Sequence, residues 1–220
     1  MVTGGILQKN NFIRPYIGAK FSLGKYTKRG YFGGEVQWGT FMNGNQFEEG
    51  VLRVEGLYFS KLYHWGKWRI KHFFNPEIVV GLNRWDYAMD KITLNGIYGI
   101  DGFDSSELRG TKKVLVNLQL QSYAPYEWLG FRFSPFFSTS IGFLGDNHNT
   151  FVTKDMYSKI GLGVVISNDY LVFNNFQFSL AFYPSIPGNG HNIFKTNNLR
   201  NTNFDLQQFN YGKPELVPYN

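Results

Sequence analysis

Four histidines, His64, His72, His148 and His191, are the first residues here to weigh for chemistry. They are dispersed and share none of the short ligand spacings that hold zinc, and cysteine is absent, so neither a metal site nor a disulfide framework is expected. Nucleophilic catalysis needs a serine within reach of a histidine, and that histidine needs a partner to orient it. His72, at an apolar-parity position, and Ser60 in the adjacent hairpin are the one pairing that spacing allows, with nothing evident to orient the base. The "GLGV" stretch at Gly161 and Gly163 is followed by no helix that could offer its N-terminus to a phosphate, so it is not a nucleotide loop. No enzyme activity and no cofactor are expected.

Charge points elsewhere. Lys and Arg total 22 against 16 Asp and Glu, giving a net charge of +6, and the cations are scattered rather than blocked. Single-stranded nucleic acid would need aromatics and cations on one face, yet here they fall largely on opposite faces of the same segments, so nucleic acid is not an expected partner.

Those faces follow from a clear two-residue alternation, the mark of strands. Between 13 and 24, Ile13, Pro15, Ile17, Ala19, Phe21 and Leu23 oppose Arg14, Tyr16, Gly18, Lys20, Ser22 and Gly24. Val114, Val116, Leu118 and Leu120 oppose Lys113, Asn117, Gln119 and Gln121, with Leu115 an exception. Phe131, Phe133, Phe137, Ile141 and Phe143 oppose Arg132, Ser134, Ser138, Ser140 and Gly142, with Phe136 an exception. Further strands are expected near 31–42, 50–61, 68–83, 157–167, 175–185 and 203–211, about nine in all.

Several of these run to roughly 10–13 residues, the length of tilted strands that cross a bilayer. Connections are short after the first, third, fifth and seventh strands and mostly longer after the others, a habit of outer-membrane barrels. The polar face is rich in Gly, Ser and Gln, as suits a crowded lumen. The apolar face is Phe, Ile, Leu and Val, as suits lipid. Tyr26, Tyr63, Trp65, Trp68, Trp85, Tyr123, Trp128, Tyr170 and Tyr183 lie near strand ends, where an interfacial girdle is expected. The 17 % share of charged residues and 19 % share of aromatics agree with many half-buried strands. The expected fold is all-β, an antiparallel meandering transmembrane barrel, with 1–220 as one domain that is incomplete at its N-terminus. Even strand numbers in such barrels call for a tenth strand, for which "VTGGILQ" is a candidate, and any export signal is expected outside these residues.

One connection, "NGIYGIDGFDSSELRG" from Asn95 to Gly110, is too long and too patterned for a turn. It is followed by "ELRGTKKVLVNLQLQSYAP", "FRFSPFFSTSIGFLGD", "YSKIGLGVVISND" and "FQFSLAFYPSIPG". This order, over roughly residues 95 to 212, resembles the C-terminal end of the BamA-like surface-antigen family of outer-membrane insertases and two-partner-secretion transporters. The resemblance implies the end of a 16-stranded barrel, an extracellular loop folded into the lumen, a bacterial outer-membrane location, and a role in protein assembly, polypeptide translocation or anchoring a fused domain. Partners would be outer-membrane lipid and lipopolysaccharide, with client polypeptides and periplasmic accessory proteins beside them. Ile100, Asp101, Gly102 and Phe103 occupy the loop motif, with Asp101 where the family has arginine. Ser140 stands where the family has the acidic partner, and Gly142 agrees with its pattern.

Parity puts Ser140 on the lumen face with Arg132, which makes Ser140, Gly142 and Arg132 the expected docking strand. That face also carries Arg14, Lys20, Arg53, Lys61, Arg69, Lys71, Lys113 and Lys159 against Glu35, Glu55 and Glu77. A loop bearing Asp101, Asp104 and Glu107 would be drawn into such an interior, an inversion of the family's charge pattern. An ordinary glycine-rich surface loop is the other reading of "GIDGF". A self-contained barrel of about ten strands, acting as a lipid hydrolase or porin, is the alternative for the whole chain.

Overall fold

A strand with one greasy and one polar side must turn its two sides to different surroundings, and the computed structural model has this property along one continuous sheet. Residues 1–9, 12–84, 91–146, 156–168, 175–197, 199 and 216–219 are described. The strands are β1 (Val2–Lys9), β2 (Phe12–Thr27), β3 (Gly30–Asn43), β4 (Gln46–Ser60), β5 (Tyr63–Trp65), β6 (Trp68–Leu82), β7 (Lys112–Tyr123), β8 (Glu127–Trp128), β9 (Phe131–Gly145), β10 (Met156–Ser167), β11 (Asn175–Ile186) and β12 (Gly190–Thr196). All pairings between them are antiparallel. The order is β1-β2-β3-β4-β6-β7-β9-β10-β11-β12, with the short β5 and β8 extending the hairpins that lead into β6 and β9. The fold is therefore an all-β antiparallel meander, an open sheet with β1 and β12 as its edges.

Turn chemistry explains one end of the sheet. The Gly66–Lys67 and Leu129–Gly130 loops join strands paired at Trp65↔Trp68 and Trp128↔Phe131, and positive φ at Gly66, Leu129 and Gly130 suits such two-residue turns. At the other end lie the long connection 83–111 and that of 146–155. Two connections there are tighter than the sequence suggests. β3 and β4 meet across Gly44–Asn45, and β11 turns into β12 within three residues. β12 itself was not foreseen, and the strand expected at 203–211 lies outside the described residues. β1 occupies the stretch proposed for a tenth strand.

Burial along the strands is inverted relative to a soluble barrel. Arg53, Glu77, Lys113, Gln119, Gln121, Ser138, Ser140 and Lys159 are buried, while on the opposite face Phe21, Leu162 and Phe178 are 65 %, 61 % and 58 % exposed. The register puts the inward polar and small residues in rows, for example Asn117↔Ser140↔Lys159 and Gln119↔Ser138↔Gly161. Both exceptions to the alternation point inward as well: Leu115 and Phe136 are buried. Gly163 opposite Phe136 leaves the space its ring needs, since a Cβ there would lie 2.4 Å from Phe136 Cζ.

The aromatic girdle needs revision. Tyr63, Trp65, Trp68 and Trp128 are exposed at the short-turn end, as expected. Tyr183 is fully buried on the polar face, and Tyr26 and Tyr123 line an inward cleft. Trp85 and Tyr170 lie outside the described residues.

Candidate functional site

Residues 92–110 fold onto the polar face of β7 and β9–β12. The loop closes on itself at its neck, where Ile92 and Gly110 exchange backbone hydrogen bonds of 2.8 and 2.9 Å. Asn95 spans it, its Nδ2 donating to the Ser105 carbonyl at 2.7 Å and its Oδ1 accepting from the Ser105 N–H at 3.1 Å. A 3₁₀ turn (Gly96–Tyr98) leads to Gly99, where a Cβ would lie 2.1 Å from the Leu94 carbonyl oxygen, so this chain path admits only glycine. Leu94, Ile100, Phe103 and Leu108 are all buried, joining Leu115, Leu144 and Tyr183 in one apolar cluster. The cluster lies on the face that in the strands is otherwise polar.

The motif residues take distinct places. Asp101 pairs with Lys159 of β10 at 3.3 Å, its carboxylate partly buried and the ammonium almost wholly so. Ile100 packs beside Leu94 above Gly142, where a Cβ would come within 2.8 Å of Leu94 Cδ2 and 3.2 Å of Ile100 Cδ1. Gly102 has φ of +80°, which turns the chain after Asp101. Phe103 meets Tyr183 and Tyr157 with ring centroids 5.5 and 6.1 Å apart.

Three strand side chains hold loop carbonyls. Lys113 Nζ donates to Tyr98 at 2.6 Å, Tyr183 Oη to Asp101 at 2.6 Å and Lys195 Nζ to Gly102 at 2.7 Å. Lys113 also meets Glu77 at 3.4 Å, so one buried ammonium ties the loop to the sheet's own ion pairs. Half-buried contacts of this kind are screened less than surface ones. Orphan carbonyls of a loop lying on a polar wall thus find donors there, which is what a closed-off backbone needs.

Of the expected docking strand, Ser140 is buried beside Lys159 and Gly142 lies directly under the loop. Arg132 lies eight residues before Ser140, about 26 Å along the strand at the usual rise, and is exposed next to Glu127. Asp104 and Glu107 are exposed at the rim rather than drawn inside. Lys159 and Lys113 were already legible as inward cations by parity. Tyr183 was misplaced to the girdle, and Lys195 carried no signal because its strand was not anticipated.

Beyond the loop, the polar face of β2–β6 fills itself with long side chains. Lys20 meets Glu35 at 2.7 Å, Ser22 and Gln37 donate to the same carboxylate, and Arg53 reaches both Glu55 and Glu77 at 3.4 Å. Toward the short turns this face opens into a cleft of about 510 Å³ lined by Tyr26, Tyr31, Phe59, Lys61, Arg69, Lys71 and Tyr123. On the outer face, Ser60 Oγ is 3.4 Å from His72 Nδ1, but its hydroxyl donates to the Lys61 carbonyl at 2.7 Å and accepts from the His72 N–H at 3.0 Å. No carboxylate orients His72 among the described residues, so the pair lacks the third member of a catalytic set. No cluster of potential metal ligands occurs among the described residues.

Fold and site together define a sheet with an apolar outside and a polar inside over which one long loop is fastened. No family model, no curated protein and no solved structure matches this chain.

Proposed function

We propose that this chain is the membrane-spanning part of a bacterial outer-membrane β-barrel of the surface-antigen type, acting in outer-membrane protein assembly or polypeptide translocation, or anchoring a fused domain. The inverted burial carries this reading: Lys113 is 0 % exposed while Phe178 on the opposite face is 58 % exposed. Water on the Phe, Leu and Ile face would be costly over so large an area, whereas acyl chains suit it. Strands of about 12 residues span about 40 Å, or about 28 Å of bilayer at a tilt near 45°, matching a hydrocarbon core of about 30 Å. A loop fastened inside, with its motif aspartate on an inward lysine, supports the surface-antigen type over an open porin, whose lumen would be left to water.

Neighbouring positions test it. With the chain refolded into vesicles, tryptophan at Phe178 should be quenched strongly by lipids brominated mid-chain, and tryptophan at Ser179 should not. Equal quenching at both positions, or folding as a monodisperse species in plain buffer, overturns the membrane reading. Heat-modifiable gel migration in detergent is the expected companion result.

A further inference from the structure

The loop covers only part of the polar face. Over β2, β3 and β6 a second segment lies on it, Leu216–Tyr219, far from the strands in sequence. The Val217 N–H donates to Tyr16 Oη at 3.0 Å, and the Val217 side chain lies over Gly39, where a Cβ would be 3.0 Å from its Cγ2. Two residues on, the Tyr219 ring sits beneath the Arg84 guanidinium, 3.5 Å from its carbon to the ring centroid. Arg84 is itself aimed by the carbonyls of Glu49 and Gly50 at 3.0 and 3.1 Å. Tyr219 Oη donates to the Thr111 carbonyl at 3.2 Å, and Gly81 below has no Cβ, which would lie 2.6 Å from that oxygen. Pro218 between them has no N–H, so this stretch docks through side chains and one amide rather than as a strand.

We propose that this surface, formed by Tyr16, Gly39, Gly81, Arg84 and Thr111, is a groove for an extended polypeptide carrying an apolar residue and, two positions later, an aromatic one, and that Leu216–Tyr219 is its ligand in cis. Each feature has a recognition role: Gly81 admits the aromatic side chain, Gly39 lets the Tyr16 ring lie under the apolar one, an oriented cation reads the aromatic face, and a carbonyl reads its hydroxyl. The segment meets the loop's end at Thr111, so the two adjoin on the polar face. Among the described residues one backbone amide, that of Val217, anchors the segment, and the remaining contacts are side-chain ones that a polypeptide of the same pattern could replace. This deepens the translocation reading above and rests on the polar face being a lumen.

The full chain, folded in detergent micelles with p-benzoylphenylalanine replacing Tyr219, should on irradiation form adducts within Gly81–Arg84 or at Thr111. Adducts on lipid-facing residues, or none within the chain, overturn the groove. A labelled peptide of residues 213–219 should bind saturably to the chain lacking 214–220, and Arg84→Ala should weaken binding by about tenfold. A peptide with Val217→Asp and Tyr219→Ala should not bind, and equal binding of both peptides overturns the recognition pattern. The crosslink needs no truncation, so it decides the matter should the shortened chain not fold. Lipid quenching at Phe178 separates the two readings: adducts without quenching keep the docked segment but remove the membrane and, with it, the translocation role of the groove.

Discussion

The two halves of the polar face solve the same packing problem in opposite ways. On β9–β11 the inward positions are small, Ser138, Ser140, Gly142, Gly161, Gly163 and Ala181, and the space above is taken by Leu94 and Ile100 of the loop at Gly142, by Leu199 at Gly161 and by the wall's own Phe136 ring at Gly163. On β2–β6 the inward positions include Lys20, Glu35, Gln37, Arg53, Glu55 and Glu77, long enough to fill that face and to pair with one another. Small inward residues therefore mark where a large side chain lies, from a docked segment at Gly142 and Gly161 and from the wall at Gly163, and long charged ones mark where the wall completes itself. Gly39 and Gly81 interrupt the second half, and there the Leu216–Tyr219 segment docks.

Charge reversal should separate the halves most strongly. Asp101→Arg would face the buried ammonium of Lys159 with a second cation, and breaking such a pair costs about 3 kcal/mol or more. The loop should become open to protease in folded, detergent-solubilised chain, and the double exchange Asp101→Lys with Lys159→Asp should restore much of the protection. Unchanged protection in the single variant would mean that the pair does not hold the loop.

Gly142→Val should act next. Its methyl groups would enter the volume of Leu94 and Ile100, and overpacking of this kind costs about 1–3 kcal/mol. Loop cleavage should rise without loss of the sheet. A smaller effect is expected in the other half for Gln37→Ala, about 1 kcal/mol, because Glu35 keeps Lys20 and Ser22. Loop protection should be untouched by it, and loop opening in Gln37→Ala would show that the halves are coupled rather than separately filled.

How far the sequence revealed this division depends on period. Two-residue alternation placed eight of the described strands because Phe, Ile and Leu recur on one side over many residues, and the loop stood out by its length. Leu115 and Phe136 broke the pattern for a reason visible only in three dimensions, since each fills space on the inner wall. β12 escaped notice because "GHNIFKT" mixes His191, Asn192 and Lys195 into a short run. Parity named the inward cations as a set but not the one that Asp101 would choose, which depends on where the loop's neck fixes it. "LVPY" has no periodicity at all, and its place follows from glycines more than a hundred residues away.

The finest test sets adjacent residues of β10 against each other. Gly161 points inward, and a Cβ there would lie 2.5 Å from Leu199 Cδ1, so Gly161→Val should cost about 1–3 kcal/mol by overpacking. Leu162 points outward and is 61 % exposed, with no wall to collide with. Leu162→Phe should change stability by no more than about 0.5 kcal/mol in urea titrations of the chain folded in vesicles, as surface substitutions do. On the membrane reading proposed above, the two faces then differ in how they respond to added volume, because acyl chains rearrange around a larger side chain and a docked segment cannot. A Leu162→Phe variant as unstable as Gly161→Val would mean that the outer face is packed against protein, and the contrast between a fluid outside and a fitted inside would be lost.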